Sequence, residues 1–105
     1  MSKADPAAVF AALGDRTRLA LLLKLAGGAA LSIAALGADA GITRQAVTKH
    51  LHVLEDAGLV VNERVGRESR YALRHERVTA MRDYLAGVAA RWEEALARLK
   101  AFVED

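Results

Sequence analysis

One short segment carries polar side chains whose types and spacing suit hydrogen bonding to the edges of base pairs. These are Gln45, Thr48, Lys49 and His52, within TRQAVTKHLHVL at residues 43–54. In the same segment Val47, Leu51 and Leu54 recur at helical spacing and predict one buried stripe. At about 100° per residue, the polar side chains point away from that stripe. Amide, hydroxyl, ammonium and imidazole groups on one helix face are typical of a helix that reads the major groove of DNA.

The ends of this helix are marked in the sequence. Thr43 is a typical N-cap residue directly before the periodic run, and Gly58 follows the run and predicts its end. A solvated helix face is the plain alternative for the polar residues. His50 and His52 resemble a metal-binding pair, but on a helix they point about 200° apart, so one ion could not readily take both. We expect His50 to pack or hydrogen-bond beside the buried stripe.

The segment before this helix predicts a scaffold that holds it at a fixed angle. Ser32 is a typical N-cap residue, and Gly41 predicts the end of a short helix. The apolar face of that helix is formed by Ile33, Leu36 and Ala40. A short helix, a turn and a second helix together are a helix-turn-helix.

The segment after the helix predicts a β-hairpin. Two β-favouring runs, Leu59–Val65 and Ser69–Leu73, are joined by Gly66, Arg67 and Glu68. A hairpin in this position is a wing, and its basic residues are Arg64, Arg67, Arg70 and Arg74. We expect basic residues of the wing to contact the DNA backbone or minor groove, and Arg67 above all. The alternative is that these charges only keep an edge hairpin from aggregating.

Composition and charge exclude several classes of protein. The length of 105 residues suits one domain, 1–105, and a hydrophobic share of 53% with 5% aromatics favours a helix-rich fold. The chain has no cysteine, which excludes disulfides, thiolate metal sites and cysteine nucleophiles. The net charge of +2 is too small to identify a polyanionic partner by itself. Residues 42–75 are the most basic third, with six basic and four acidic residues.

No pattern in the chain indicates catalysis or a membrane segment. The three serines lie outside any nucleophile-elbow sequence, and neither a Gly-rich phosphate loop nor a paired-carboxylate site is evident. The opening residues MSKADP lack the apolar stretch of a signal peptide, and the uncharged run Leu25–Ala38 is too short to span a bilayer. We expect a cytoplasmic protein with no catalytic residue, no metal and no cofactor.

The N-terminal part predicts two capped helices. The first begins with Asp5 as its cap and Pro6 in its first turn, and it carries Val9, Phe10 and Leu13. Asp15 caps the second, whose residues expected to face the core are Leu19, Leu22, Leu23 and Ala26. Arg16 and Arg18 either pair with Asp15 or contact a phosphate, and both possibilities stay open.

A long terminal helix is predicted from about Arg77 to Val103. Its apolar residues recur at spacings of three or four and are Val78, Met81, Leu85, Val88, Trp92, Leu96, Leu99 and Val103. A helix of about 27 residues spans about 40 Å, longer than a domain this small normally covers, so part of the stripe is expected to pack on another subunit. We predict a homodimer whose interface contains Val9, Phe10, Leu13, Leu85, Val88, Trp92, Leu96 and Leu99. For Trp92, the wall of a small-molecule pocket is the alternative.

Taken together, these segments resemble the ArsR/SmtB family of winged-helix transcriptional regulators over nearly the whole chain. The resemblance is carried by LGDRTRLALLLKL at 13–25, TRQAVTKHLHVLEDAGLV at 43–60 and GRESRYAL at 66–73. It implies a mainly α fold with a small β-hairpin, a winged helix-turn-helix whose terminal helices form a dimer interface. It also implies that the second helix of the motif enters the major groove and that the wing touches the neighbouring backbone. The residues expected to contact DNA are Thr43, Arg44, Gln45, Thr48, Lys49, His52, Arg64, Arg67 and Arg70.

The chain departs from the metal-sensing members of that family. Those members carry a cysteine pair before the reading helix, or Asp, His and Glu ligands along the terminal helix. Here Ser32–Asp39 has no thiol or imidazole, and no histidine follows His75. The chain therefore resembles the members without metal-ligand motifs, and the sequence does not identify an inducer.

The function predicted from the sequence is binding of double-stranded DNA by a homodimer that recognises a near-palindromic operator and represses transcription. The alternative is a winged helix that serves as a protein-interaction module and does not bind DNA. The outward face at Gln45, Thr48 and Lys49 favours DNA, because it is polar and lacks the aromatic residues of protein-binding hot spots.

Overall fold

The computed structural model describes residues 5–104, which form five helices and a three-stranded antiparallel sheet. In chain order the elements are α1 (Pro6–Leu13), α2 (Arg16–Leu25), β1 (Leu31–Ser32), α3 (Ile33–Gly37), α4 (Arg44–Asp56), β2 (Val60–Val65), β3 (Glu68–Leu73) and α5 (His75–Glu104). The helix-turn-helix is α3 and α4, and the wing is β2 and β3. The predicted class, mainly α with a small hairpin in a winged helix-turn-helix, is confirmed. Residues 1–4, judged above to lack a signal peptide, lie outside the described residues.

Capping side chains explain where the first four helices begin. The side-chain oxygens of Asp5, Asp15, Ser32 and Thr43 accept hydrogen bonds from backbone N–H groups two or three residues later, at 3.0–3.1 Å. Each bond satisfies an N–H group that the first turn of a helix leaves unpaired. The four caps expected from the sequence are therefore confirmed.

The core lies where α2, α4 and the sheet meet. Its largest fully buried side chains are Val9, Leu21, Leu25, Leu36, Val47, Leu51, Leu54, Leu59, Val60 and Tyr71. The predicted stripe of Val47, Leu51 and Leu54 is confirmed, since each is at most 1% exposed. Burial of each such side chain contributes about 1.5–3 kcal/mol. The stripe fixes the rotation of α4 about its axis, so the opposite face of this helix is turned to solvent.

Helix α2 buries a different face from the one expected. Leu21 and Leu25 are buried, whereas Leu19 is 43% and Leu23 is 65% exposed. Leu22 is partly buried, and Ala26 is an exposed C-cap. The expectation was wrong because leucine occupies five positions of RLALLLKL, so the apolar pattern is too dense to select one face of a helix.

A two-residue strand, β1, was missed in the sequence analysis. Leu31 pairs with Tyr71 and Ser32 pairs with Arg70, which makes β3 the central strand of the sheet. Two residues are too few to show the alternation that identifies a strand. The predicted hairpin is confirmed with a tighter connection, because Val65 pairs directly with Glu68 across a two-residue loop. Gly66 opens that loop with φ +65°, a conformation that glycine adopts without steric cost.

Helix α3 is shorter than predicted and crosses close to α4. It ends at Gly37, so Ala40 and Gly41 lie in the turn that follows. A Cβ atom added at Gly37 would lie 3.0 Å from Cγ2 of Val47 in α4. The absence of a side chain at Gly37 therefore allows the close approach of the two helices of the motif.

Helix α5 extends well beyond the body of the protein. It has 30 residues, about 45 Å at 1.5 Å per residue, and Met81 is its one buried residue within the described chain. The principal extents of the molecule are 67 × 29 × 24 Å and its radius of gyration is 18.0 Å, against about 13 Å for a compact domain of about 100 residues. Near its start α5 contacts α1, where the rings of Phe10 and Tyr84 lie 6.1 Å apart. Of the helices within residues 5–104, none combines the length and apolarity needed to cross a bilayer.

Candidate nucleic-acid interface

The outward face of α4 presents most of the side chains expected to read DNA. Gln45, Lys49 and His52 are exposed, as is Arg44 in the first turn, and Thr48 is half-buried. The cap at Thr43 and the buried stripe position this face, because together they fix where the helix starts and which side is covered. A run of polar groups over more than two turns of an exposed helix can reach base edges in a major groove about 12 Å wide.

Two threonines on this helix already use part of their hydrogen-bonding capacity. Oγ1 of Thr43 accepts from the N–H of Ala46 at 3.0 Å, whereas the hydroxyl of Thr48 donates to the carbonyl of Arg44 at 3.0 Å. A hydroxyl has one proton and two lone pairs. Thr43 therefore keeps its proton for an acceptor such as a phosphate, while Thr48 keeps its lone pairs and its methyl group.

Three arginines converge in a groove between the reading helix and the wing. Arg44 from α4, Arg64 from β2 and Arg67 from the wing loop line an open groove of about 470 Å³. The groove is completed by Ser32, Ile33, Glu68 and Ser69. Guanidinium groups present several donors in a planar fork that matches phosphate oxygens. The arrangement suits a strand of nucleic-acid backbone that passes between helix and hairpin.

Within residues 5–104, Arg70 differs from Arg64 and Arg67 in having a carboxylate partner. Its Nε atom donates to Oε1 of Glu68 at 2.8 Å, and both side chains are about half exposed. Such a pair adds little to stability. The pair does affect the charge of the groove, because Arg70 neutralises the carboxylate of Glu68 at the edge of the groove. Arg44, Arg64 and Arg67 then dominate the charge that a phosphate would meet.

Two serines in the groove were not expected there. Ser69 lies opposite Arg64 in the register of the hairpin, and Ser32 enters the groove because β1 pairs it with β3. The position of Ser69 could have been predicted, because the short loop sets the register of the hairpin and places Ser69 opposite Arg64. No sequence signal placed Ser32 there, because β1 itself was missed.

The two histidines of α4 lie in different surroundings. His52 is exposed, whereas His50 is half-buried with Nδ1 3.4 Å from Nη1 of Arg18 and 4.0 Å from Oδ2 of Asp15. The expectation that His50 makes a hydrogen bond beside the buried stripe is confirmed. Within residues 5–104, no three His, Asp or Glu side chains are grouped so that they could hold a metal ion.

The residues expected at a dimer interface fall into two groups. On α5 the side chains of Leu85, Trp92, Leu96 and Leu99 are 50–66% exposed, and Val88 is half-buried. On α1 the side chains of Phe10 and Leu13 are partly buried against the core. Val9 is 0% exposed and belongs to the core of the subunit itself. The expectation is corrected for Val9, because a fully buried side chain offers no surface to a second copy.

Comparisons with known proteins agree with the fold. Residues 13–63 match the family model of a helix-turn-helix domain. The chain is 47% identical over 66 residues to the uncharacterised HTH-type transcriptional regulator YuzN of Bacillus subtilis (strain 168), a match that covers 57% of this chain and 72% of the relative.

Solved structures extend the likeness to nearly the whole chain. An ArsR-like transcriptional regulator from Rhodococcus sp. RHA1 is 38% identical with a TM-score of 0.80, and the match covers 92% of this chain and 91% of that one. The homodimeric winged helix-turn-helix DNA-binding domain of a possible ArsR-family regulator from Mycobacterium bovis is 30% identical with a TM-score of 0.65, covering 88% and 82%.

Proposed function

The chain belongs to the ArsR family of winged helix-turn-helix transcriptional regulators, and from this membership we propose that it acts as a homodimeric repressor of a near-palindromic operator. The observation that carries the proposal is the placement of three arginines, Arg44, Arg64 and Arg67, in one groove beside the exposed polar face of α4. The groove holds the DNA backbone and the face of α4 reads the bases. Backbone contacts of this kind set affinity, and base contacts set specificity.

The side chains of α4 divide these tasks by position. Gln45, Thr48 and Lys49 point outward from the helix and contact base edges in the major groove. His52 lies one turn further along and reaches either a base or the flanking phosphate. Thr43, at the start of the helix, donates its hydroxyl proton to a phosphate, since its lone pair is used by the cap.

The wing supplies contacts that are independent of sequence. Arg67 stands in the loop between β2 and β3, and Arg64 follows it along the groove. Arg70 contributes less than these two, because its guanidinium is paired with Glu68. Neutralisation of phosphates releases counterions, so the affinity falls with salt.

The exposed stripe of α5 supports a dimer. Trp92 is 66% exposed and Phe102 is 80% exposed on a helix that stands away from the body. Val78, Met81, Leu85, Val88, Trp92, Ala95, Leu99 and Phe102 repeat alternately every three and four residues, the spacing with which two helices interlock. Exposed apolar surface on this scale is stabilised by a second apolar surface. The homodimeric state of the Mycobacterium bovis structure supports the same assignment.

Two-fold symmetry of the protein requires two-fold symmetry of the site. The reading helices of a dimer meet the same face of the duplex only if the half-sites lie about 10 base pairs apart, or a multiple of that. Repression follows where such a site overlaps a promoter.

The proposal is tested by binding the full-length protein to fragments of its native genome and titrating salt on the bound fragments. If each subunit neutralises about four phosphates, log K falls with log salt with a slope of about −7 for the dimer. A slope near zero, or no bound fragment, would overturn the proposal. A dimer that binds no fragment would favour the protein-interaction alternative.

A further inference from the structure

Arg18 joins three helices through one side chain. Its Nε donates to the carbonyl of Ala12 at 2.6 Å and its Nη2 donates to that of Ala11 at 3.3 Å, both at the end of α1. Its Nη1 lies 3.4 Å from Nδ1 of His50 in the middle of α4. Arg18 itself belongs to the first turn of α2, where Asp15 holds its backbone N–H at 3.0 Å.

The chemistry of arginine explains why one residue can do this. The last carbonyl groups of a helix have no partner within the helix and carry partial negative charge, so the end of α1 attracts a cation. A guanidinium has five N–H donors in a rigid plane, and it can serve the two carbonyls and the imidazole at once. A lysine ammonium is a single point on a flexible chain and cannot hold the same geometry.

The contact with His50 has a defined polarity. Because a guanidinium only donates, a hydrogen bond between the two side chains uses Nδ1 of His50 as its acceptor. The charged groups facing His50 are Arg18 and Asp15, the latter 4.0 Å from Nδ1. His50 follows Lys49 directly on α4, so Arg18 contacts the reading helix at its centre.

Helix α1 also contacts α5, the helix proposed to join the subunits. Phe10 packs against Tyr84 of α5, with ring centroids 6.1 Å apart. A continuous path therefore runs from α5 through α1 and Arg18 to His50 on α4. This path connects the helix proposed to join the subunits to the helix proposed to read the bases.

We propose that Arg18 is a positioning residue which, through His50, sets the distance between the two reading helices of the dimer. The inference rests on the proposed function, because it needs two subunits on two half-sites. Loss of the link lets α4 shift relative to α1 without changing any group that touches DNA. The selectivity for half-site spacing then falls, while the affinity for random DNA is retained.

The experiment measures binding of the full-length protein to its operator and to operators with one base pair inserted or removed between the half-sites. The wild type is expected to lose about tenfold or more on the altered sites, since one base pair rotates the half-sites by about 35°. For Arg18→Gln, the affinity for the altered operators is expected to be less than about threefold below the affinity for the unaltered operator. Arg16→Gln is the matched control, because it removes the same charge from an exposed neighbour on α2 and should keep the spacing preference of the wild type.

Two variants of His50 separate positioning from general stability. His50→Asn keeps an acceptor near the place of Nδ1 and should preserve the spacing preference, whereas His50→Leu should lose it as Arg18→Gln does. Circular dichroism and sedimentation identify which variants remain folded dimers, and His50→Leu carries the test if Arg18→Gln does not fold. A wild type indifferent to spacing would contradict the proposed function. If the wild type depends on half-site spacing, and folded Arg18→Gln or His50→Leu depends on it equally, the role of Arg18 would be overturned. The proposed function would not be affected by that result.

Discussion

At the residue scale, a backbone contact decides what a reading side chain can recognise. The hydroxyl of Thr48 gives its proton to the carbonyl of Arg44, which leaves only lone pairs and a methyl group facing outward. These suit the amino groups of adenine or cytosine and the methyl group of thymine. Gln45 and Lys49 keep their donors, so in the proposed complex they are the more versatile readers. Side-chain identity could be read from the sequence, but this use of the hydroxyl could not, because a threonine within a helix bonds the backbone only in some rotamers.

Base readers and phosphate binders should respond differently to truncation. Gln45→Ala should reduce the preference for operator over random DNA by about 1–3 kcal/mol for each half-site, because each subunit loses an amide that reads one base edge. Arg67→Ala should weaken both DNAs alike and make the salt slope of the dimer shallower by about 2, because one phosphate contact is lost in each subunit. Fluorescence anisotropy with both duplexes at several salt concentrations measures these changes. Equal losses on both duplexes for both variants would contradict the division.

The cap at Asp15 makes part of the stability depend on pH. The hydrogen bond from the backbone N–H of Arg18 is the main cause that lowers the pKa of Asp15 from its ordinary 3.8; burial opposes it, and the nearby positive charge of Arg18 acts with it. A carboxyl whose pKa is lowered on folding stabilises the protein above its unfolded pKa, and this contribution is lost as the pH falls through the folded pKa.

Asp15→Ala should therefore be less stable than the wild type at pH 7, and the difference should shrink as the pH falls below about 4. Urea unfolding followed by circular dichroism at a series of pH values measures it. Asp15→Asn keeps an oxygen for the cap and should recover part of the stability at pH 7. A difference between wild type and Asp15→Ala that stays constant down to pH 2 would refute the assignment.

At the element scale, the crossing of α3 and α4 depends on one glycine. A side chain at Gly37 would press against Val47, which is stiff and fully buried. Crowding of Val47 in Gly37→Ala should destabilise the protein by about 1–3 kcal/mol, and the higher helix propensity of alanine offsets up to about 1 kcal/mol of this. Gly27→Ala is the control, since no atom lies within 4 Å of a Cβ at Gly27. Urea unfolding midpoints measure the stability of both variants. Equal stability would show that the contact between α3 and α4 can accommodate a methyl group at position 37.

The sequence predicted the elements that carry strong local signals. Caps at Asp5, Asp15, Ser32 and Thr43 marked the helix starts, and the sparse stripe of α4 selected a face, because only its buried positions are apolar at helical spacing. The dense leucines of α2 selected none, and β1 is too short to show a pattern. Local order is thus readable where polar and apolar residues alternate, and it is decided by tertiary packing where they do not.

The candidate site was predictable in part for the same reason. The outward face of α4 follows from helix geometry, and Arg64 and Arg67 follow from the hairpin. The groove they form with Arg44 could not be predicted, because it requires the angle between α4 and the wing. The link from Arg18 to His50 also spans elements far apart in the chain, and the sequence left Arg18 undecided between Asp15 and a phosphate.

At the scale of the whole molecule, the length of α5 is the feature that favours a dimer, because much of its apolar stripe is exposed in a single subunit. Leu99→Glu places a carboxylate in the exposed apolar stripe and should convert the proposed dimer to a monomer at micromolar concentration. Operator affinity should fall with it, because one subunit contacts only one half-site. Ala90→Glu adds the same charge on the opposite face of α5 and should remain dimeric. Sedimentation equilibrium measures both, and a dimeric Leu99→Glu would exclude this stripe from the interface.

In the proposed complex, two copies of α4 occupy successive major grooves of one operator. Methylation protection tests it most directly, because it reports access to guanine N7 in the major groove. Two protected patches on one face of the duplex are expected, with centres about 10 base pairs apart or a multiple of that, and with symmetric sequences. A single protected patch, or protection confined to the minor groove, would contradict the account.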